Sequence, residues 1–400
     1  MKILRWLEQT ADYSMVLDWP TFSMNSAGYD PATGLSLHPG LKTFEDCLNG
    51  TLENHKFFIK HRKPGATKFL NILQGVNVKE GDVWWDAVKD LPFEGWAFGG
   101  IQGHNFAINL RRLIIMRDGG YLEDRDWMHY LGNGKIRAVC ALTTVQRNLR
   151  KYVNPRITLS CDAASPFLMS ANGQAYHDYT ISHNRLNFKS GSIMDDKGLK
   201  GSPMTLNTWL AEQNQYTIKH QSKIGDLITA ADICVKGYED LDYKKVAFTK
   251  KELASEEYLN SIEYTNGDKF RYSNAYKEYL AHSQDCGGVF DFGSQDFTLE
   301  QNKFEVKWPS SLDGISYVLN MNHNLELHIS AMQEACYWQD QPKSIASERI
   351  PHDLLEFKDI CQEIFTSESP IDVIDRNEVL LRNITGMNAD SNTYIDLERI

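Results

Sequence analysis

The chain has 400 residues, of which 42% are hydrophobic, and a formal net charge of −11. That size holds one large domain or two ordinary ones around a real core. The acidic balance excludes a protein that coats nucleic acid indiscriminately, since such binding rests on neutralising phosphates.

The amino terminus, Met1 to Gln9, has the helical spacing of a structural segment and lacks the make-up of a signal peptide. From there to residue 162, helix and strand patterns alternate, the signature of a parallel sheet covered by helices. Strands are expected at Ser14 to Leu17, Lys68 to Leu73, Gly95 to Phe98, Trp127 to Leu131 and Ile157 to Cys161. Each ends at a polar residue or a glycine: Asp18, Gln74-Gly75, Gly99-Gly100, Gly132 and Asp162. Helices are expected at Lys42 to His61, Gly81 to Leu91, Asn105 to Arg117 and Ile136 to Val153. Residues 163 to about 250 carry short mixed segments, with turn signals at Ala171-Asn172-Gly173 and Ser190-Gly191-Ser192. Helical spacing returns at Lys251 to Glu263, Ser273 to Ser283, Asp313 to Trp338, Asp353 to Thr366 and Val373 to Arg382. The expected division is a catalytic α/β part over 1–200 and an accessory, mainly helical part over 201–400.

No apolar run approaches the roughly 18 residues of a membrane-spanning helix. The seven cysteines are scattered and form no CxxC or CxC pair, which suits reduced thiols and a cytoplasmic protein. The histidines at 177 and 183 form no metal signature with any cysteine, so no metal is expected.

In a parallel α/β sheet the carboxyl ends of the strands form the ligand-binding face, so an acid there is a site candidate. Asp162 either caps the next helix or does chemistry. Asp18, before Trp19-Pro20, either initiates a turn or faces the same opening. Gln74-Gly75 and Gly99-Gly100 either turn the chain or line a pocket. Together the four strand ends suit a purine. A carboxylate accepts from its N1–H and amino group, a side-chain amide donates to O6, and bare glycine amides approach the ring edge. Asp162 is then free to attack an anomeric carbon and form a covalent glycosyl intermediate. Between Gly134 and Cys161 lie six cations and no acid. Among them Arg147, Arg150 and Lys151 share one helical face, which is either a solvated surface or a nucleic-acid contact.

The succession Asn71-Ile72-Leu73-Gln74-Gly75-Val76, Phe93-Glu94-Gly95-Trp96-Ala97-Phe98-Gly99-Gly100-Ile101, Tyr130-Leu131-Gly132 and Asp162 with Pro166 resembles the tRNA-guanine transglycosylase superfamily. Ser14-Met15-Val16-Leu17-Asp18 resembles that family's strand ending in FDE. The similarity covers about residues 3 to 173. It implies a (β/α)8 TIM-type barrel in which Asp162 is the nucleophile on C1′, Asp18 and Gln74 read the base, and the Gly99 and Gly100 amides approach its O6. It also implies a pentosyl transfer that exchanges guanine for a 7-deazaguanine with no cofactor.

The pattern departs from the family in three ways. The DSGGFQ strand that supplies an acid or base has no counterpart, so the barrel is expected to lack its first strands, the chain being either a truncated product or part of a split one completed by a second polypeptide. The zinc-binding CxCxxC is missing, and PTR is replaced by Pro166-Phe167-Leu168. These departures are most similar to the phage-type DNA transglycosylase branch, which inserts 7-deazaguanines into DNA against restriction. The expected partner is therefore DNA inside the host cell. The alternatives are a tRNA (queuine or archaeosine-type) enzyme and a non-catalytic subunit of a split enzyme.

Overall fold

Five short strands set the frame: β1 (Tyr13–Met15), β2 (Lys68–Leu73), β3 (Gly95–Phe98), β4 (Trp127–Tyr130) and β5 (Thr158–Cys161). The computed structural model describes residues 1–21, 43–171, 173–192, 203–213, 218–230, 247–248, 297–300, 303–306 and 314–386. The five strands pair in sequence order, all parallel, as a curled half-barrel sheet. Most of the loop from Trp19 to Gly40, and the helices expected at Lys251 to Glu263 and Ser273 to Ser283, lie outside the described residues.

Alternation sorts each strand's side chains between the two faces. Asn71, Trp96, Phe98, Met128 and Tyr130 face the helices and are buried. Tyr13, Ile72, Gly95, Ala97, Trp127, His129 and Ser160 take the concave face. The curl is visible in one contact: β1 and β4 are three strand spacings apart, roughly 14 Å in a flat sheet, yet the Tyr13 and Trp127 rings stack with centroids 4.4 Å apart. Gly95 on the strand between makes this close packing feasible. A methyl group there would lie 2.4 Å from the Trp127 carbonyl and 2.5 Å from a Leu70 methyl.

Helices α1 (Lys2–Thr10), α2 (Phe44–His61), α3 (Val78–Val88), α4 (Gly100–His104), α5 (Phe106–Asp118) and α6 (Ile136–Tyr152) fill the connections. Their starts are chemically marked. Thr43 and Asp46 form a reciprocal capping box on α2. The Asn77 side chain caps α3, and that of Asn105 caps α5. Burying an aromatic such as Trp84, Trp96 or Phe98 contributes roughly 2–3 kcal/mol each, and these three are fully enclosed.

After β5 come α7 (Ser165–Ala171) and an antiparallel hairpin of β6 (Gln174–Ser182) and β7 (Arg185–Ser192). Two short helices, α8 (Leu206–Gln213) and α9 (Ile224–Leu227), follow. Strands β8 (Ala247–Phe248), β9 (Phe297–Glu300) and β10 (Lys303–Val306) form a small antiparallel sheet. Next come the long α10 (Gly314–Asp340), α11 (Lys343–Arg349), α12 (His352–Thr366), α13 (Pro370–Arg376) and α14 (Glu378–Asn383).

One buried cluster runs from Phe44 through the strands to Phe357 and Ile384, and the Phe106 and Phe357 rings meet edge to face at 5.7 Å. The carboxyl-terminal helices are the outer wall of the sheet's own helical layer. Gln339 of α10 donates to Thr144 Oγ1 on α6 at 3.1 Å. Asn324 donates to the Pro166 carbonyl and to Ser170 on α7. The hairpin is clasped to α10 by polar side chains gathered around buried Asp178. Asp178 accepts from His220 Nδ1 at 2.7 Å and Lys189 Nζ at 3.3 Å, His220 Nε2 lies 3.4 Å from Glu334, and Tyr179 donates to Glu334 at 2.8 Å.

The outer edge of β5 is closed by side chains of α6. Gln146 Oε1 accepts from the Leu159 amide at 2.6 Å, and Arg150 Nε donates to the Ile157 carbonyl at 2.6 Å. Among the described residues, no helix is long and apolar enough to cross a membrane.

Candidate functional site at the carboxyl rim of the sheet

Asp162 follows β5 at the rim, and its side chain is 54% exposed. Its carboxylate does not cap α7. Oδ1 accepts from the Gly132 amide at 2.8 Å and lies 3.2 Å from His129 Nε2; neither contact uses Oδ2. Gly132 reaches this position because it adopts φ +69°, a left-handed conformation that turns the chain sharply after β4. Behind it, His129 Nδ1 is 2.9 Å from Ser160 Oγ, and Trp127 Nε1 donates to the same oxygen at 2.9 Å. The hydrogen bond from His129 holds the Asp162 carboxyl below its ordinary value; the Gly132 amide assists, and partial burial opposes both.

Asp18 and Gln74 are brought together at the same rim. Gln74 Nε2 donates to Asp18 Oδ2 at 2.7 Å, so Asp18 is not merely opening a turn. Burial pushes the Asp18 carboxyl up, and the Gln74 hydrogen bond offsets only part of this. The two rim carboxylates are thus driven in opposite directions, an arrangement that separates a more readily ionised group from one that holds a proton more readily.

Gly99 and Gly100 are adjacent to Gln74, and the role expected of the Gly99 amide needs correction. The Gly99 amide donates to the Leu73 carbonyl at 2.8 Å and is therefore spent within the sheet. What the glycines supply is room. A methyl group on Gly99 would come within 2.5 Å of Gln74 Nε2, and one on Gly100 within 2.7 Å of the Gly75 carbonyl.

The basic trio is not a free face at the rim. Arg147 is paired in bidentate fashion with Asp340 of α10. Arg150 is bonded to Ile157 and Thr158 at the amino end of β5, the end opposite Asp162. Exposed Lys151 lies over the Tyr152 ring at 4.8 Å. Arg147 stays partly exposed, but its guanidinium is committed to the α6–α10 seam.

Sequence reasoning passed over His129, Ser160 and His104. The two-residue period marks Trp127 and His129 as neighbours on one strand face, but only the β4–β5 register sets Ser160 beside His129. His104 ends α4 about 3.5 Å from where a Gly132 side chain would start. Burial holds its ring below the ordinary value, against an Asn133 hydrogen bond and the Asp162 charge.

Ser160, His129 and Asp162 form a serine–histidine–aspartate series, which on other scaffolds activates a serine. Here the exposure runs the other way. The aspartate is the open end, and the serine oxygen, deeper on the concave face, is already held by an indole N–H. The group able to meet a substrate is the carboxylate. Among the described residues no cluster of histidine, cysteine, aspartate or glutamate could hold a metal ion. Comparison with known protein families and with curated proteins finds no match to this chain.

Proposed function

We propose that the protein is a base-exchange transglycosylase in which Asp162 displaces guanine from C1′ of a nucleotide in DNA, and a 7-deazaguanine then displaces Asp162. The single observation that carries this reading is the pairing at one rim of an exposed, ionised carboxylate with a separate carboxylate–amide pair, Asp18 and Gln74. The first has the charge and access of a nucleophile. The second has the acceptor and donor set that a guanine edge needs. The resemblance to the tRNA-guanine transglycosylase superfamily belongs to this proposal, as does its full (β/α)8 barrel. The five-strand curled sheet has the sequential parallel pairing that such a barrel requires. A duplex substrate must flip its target nucleotide out of the stack, at a cost of a few kcal/mol.

The test is incubation with labelled guanine and either duplex DNA or tRNA, followed by denaturing electrophoresis for a protein–nucleic acid adduct. Label entering DNA, with an adduct mapped to Asp162, is the expected result. Label entering tRNA alone would move the substrate to tRNA, and an adduct at any other residue would remove Asp162 from its role.

A further inference from the structure

We propose that Trp127 and Ser160 are positioning residues: acting through the Ser160 hydroxyl, the indole fixes which ring nitrogen of His129 carries the proton and so makes His129 a donor to Asp162. This rests on the reading of Asp162 as the reacting carboxylate.

An indole N–H only donates, so at the 2.9 Å contact Ser160 Oγ must accept from Trp127. Ser160 then has one proton to give. His129 Nδ1 is 2.9 Å away and the Met128 carbonyl 3.5 Å away, so the nearer ring nitrogen receives it. Nδ1 is therefore the acceptor, and the ring proton resides on Nε2, 3.2 Å from Asp162 Oδ1. The opposite tautomer fails at both ends. With Nδ1–H, Ser160 would accept twice and be left to donate only to the Met128 carbonyl 3.5 Å away, and a bare Nε2 would face a carboxylate oxygen with no proton between them. The sheet holds the series without help from a loop. Trp127 and His129 are two residues apart on β4, and Ser160 is the register partner of His129 on β5.

The chemical consequence concerns the charge on Asp162. An N–H donor lowers the carboxylate's affinity for a proton while leaving its negative charge available to an electron-poor carbon. In the first half-reaction an Asp162 oxygen lone pair forms the bond to C1′, and the C1′–N9 electron pair departs with guanine. His129 keeps its proton throughout and orients the attacking group.

Long-range proton–nitrogen correlation spectra of the protein labelled with [15N]histidine report the tautomer directly, with His129→Gln used for assignment. The expected wild-type signature is an Nε2–H ring. Trp127→Phe retains a ring against Tyr13 but has no N–H, so Ser160 is free to donate or accept. It is expected to give a mixture of tautomers and about a tenfold slower adduct formation, the scale of one lost hydrogen bond. Ser160→Thr, with Trp127 in place, keeps the hydroxyl and should keep the wild-type spectrum. An Nδ1–H ring in the wild type, or a His129 spectrum unchanged by Trp127→Phe, overturns the proposal. The spectra need no turnover. Correct spectra with no adduct on any nucleic acid would therefore reject the transglycosylase reading while upholding the tautomer assignment.

Discussion

Two aspartate–histidine pairs in this molecule point in opposite directions. At the rim, Asp162 is the exposed member, 54% open, with His129 behind it at 17%. In the hairpin clasp, Asp178 is the buried member, 2% open, with His220 outside it at 25%. Asp178 uses both oxygens on its neighbours: Oδ1 accepts from the His220 ring and backbone, and Oδ2 from Lys189. Burial pushes its carboxyl up, yet the hydrogen bonds from His220 and the other donors bring it down overall. The same two residue types thus serve as a fastening in one place and as a candidate reagent in the other. What separates them is which end meets solvent and whether any acceptor capacity is left over.

Breaking each pair should have different consequences. Asp162→Asn should lower adduct formation by at least about 10⁴-fold, the scale of removing a nucleophile, with little change in urea unfolding. Wild-type rates in that variant would end the comparison. Asp178→Ala should do the reverse. Removing one partner of a buried pair costs about 3 kcal/mol or somewhat more, read as a lower urea midpoint, and adduct formation per folded molecule should be retained.

Acid sharpens the contrast. His55 is fully buried on α2, and burial alone depresses its ring from 6.5 to about 4. A depressed histidine contributes stability that is present above its unfolded pKa and lost as pH falls between 6.5 and about 4. The loss is roughly 3 kcal/mol. Unfolding should therefore begin before Asp162 gains a proton, and the acid limb of activity should coincide with loss of circular dichroism. His55→Leu should move the unfolding limb to lower pH and reveal the limb belonging to Asp162. His129→Gln should slow adduct formation by about 10- to 100-fold and shift the Asp162 limb to higher pH, because the donor that holds its carboxyl low is gone. The smallest effect belongs to Arg147→Gln. That ion pair is more than a third exposed on both sides, so its loss should cost under about 1 kcal/mol. Affinity for DNA, measured by fluorescence anisotropy, should be unchanged.

The central strands were legible because their limits are chemically loud. Lys68–Leu73 and Gly95–Phe98 match the expected bounds, each being an apolar run closed by glutamine or glycine. The start of α3 lies three residues earlier than its apolar spacing suggested, because Asn77 caps it. The hairpin went unread. Its two-residue turn, His183-Asn184, contains no glycine, and the Ser190-Gly191-Ser192 signal lies inside a strand. The helix expected over Val373 to Arg382 is two helices meeting at Asn377. Of the site, Asp162, Asp18 and Gln74 could be found because strand ends can be found. The Ser160–His129 contact depends on register between strands, and the fate of Arg147 depends on an aspartate 193 positions away. Neither is encoded locally.

The stoppered margin of β5 has a bearing on how the chain emerges during synthesis. Bare strand margins recruit other strands and seed aggregation, most dangerously while a protein is half made. Here Gln146 and Arg150 precede the strand they seal. The helix bearing them leaves the ribosome first, so the guard is already in place when the vulnerable segment arrives.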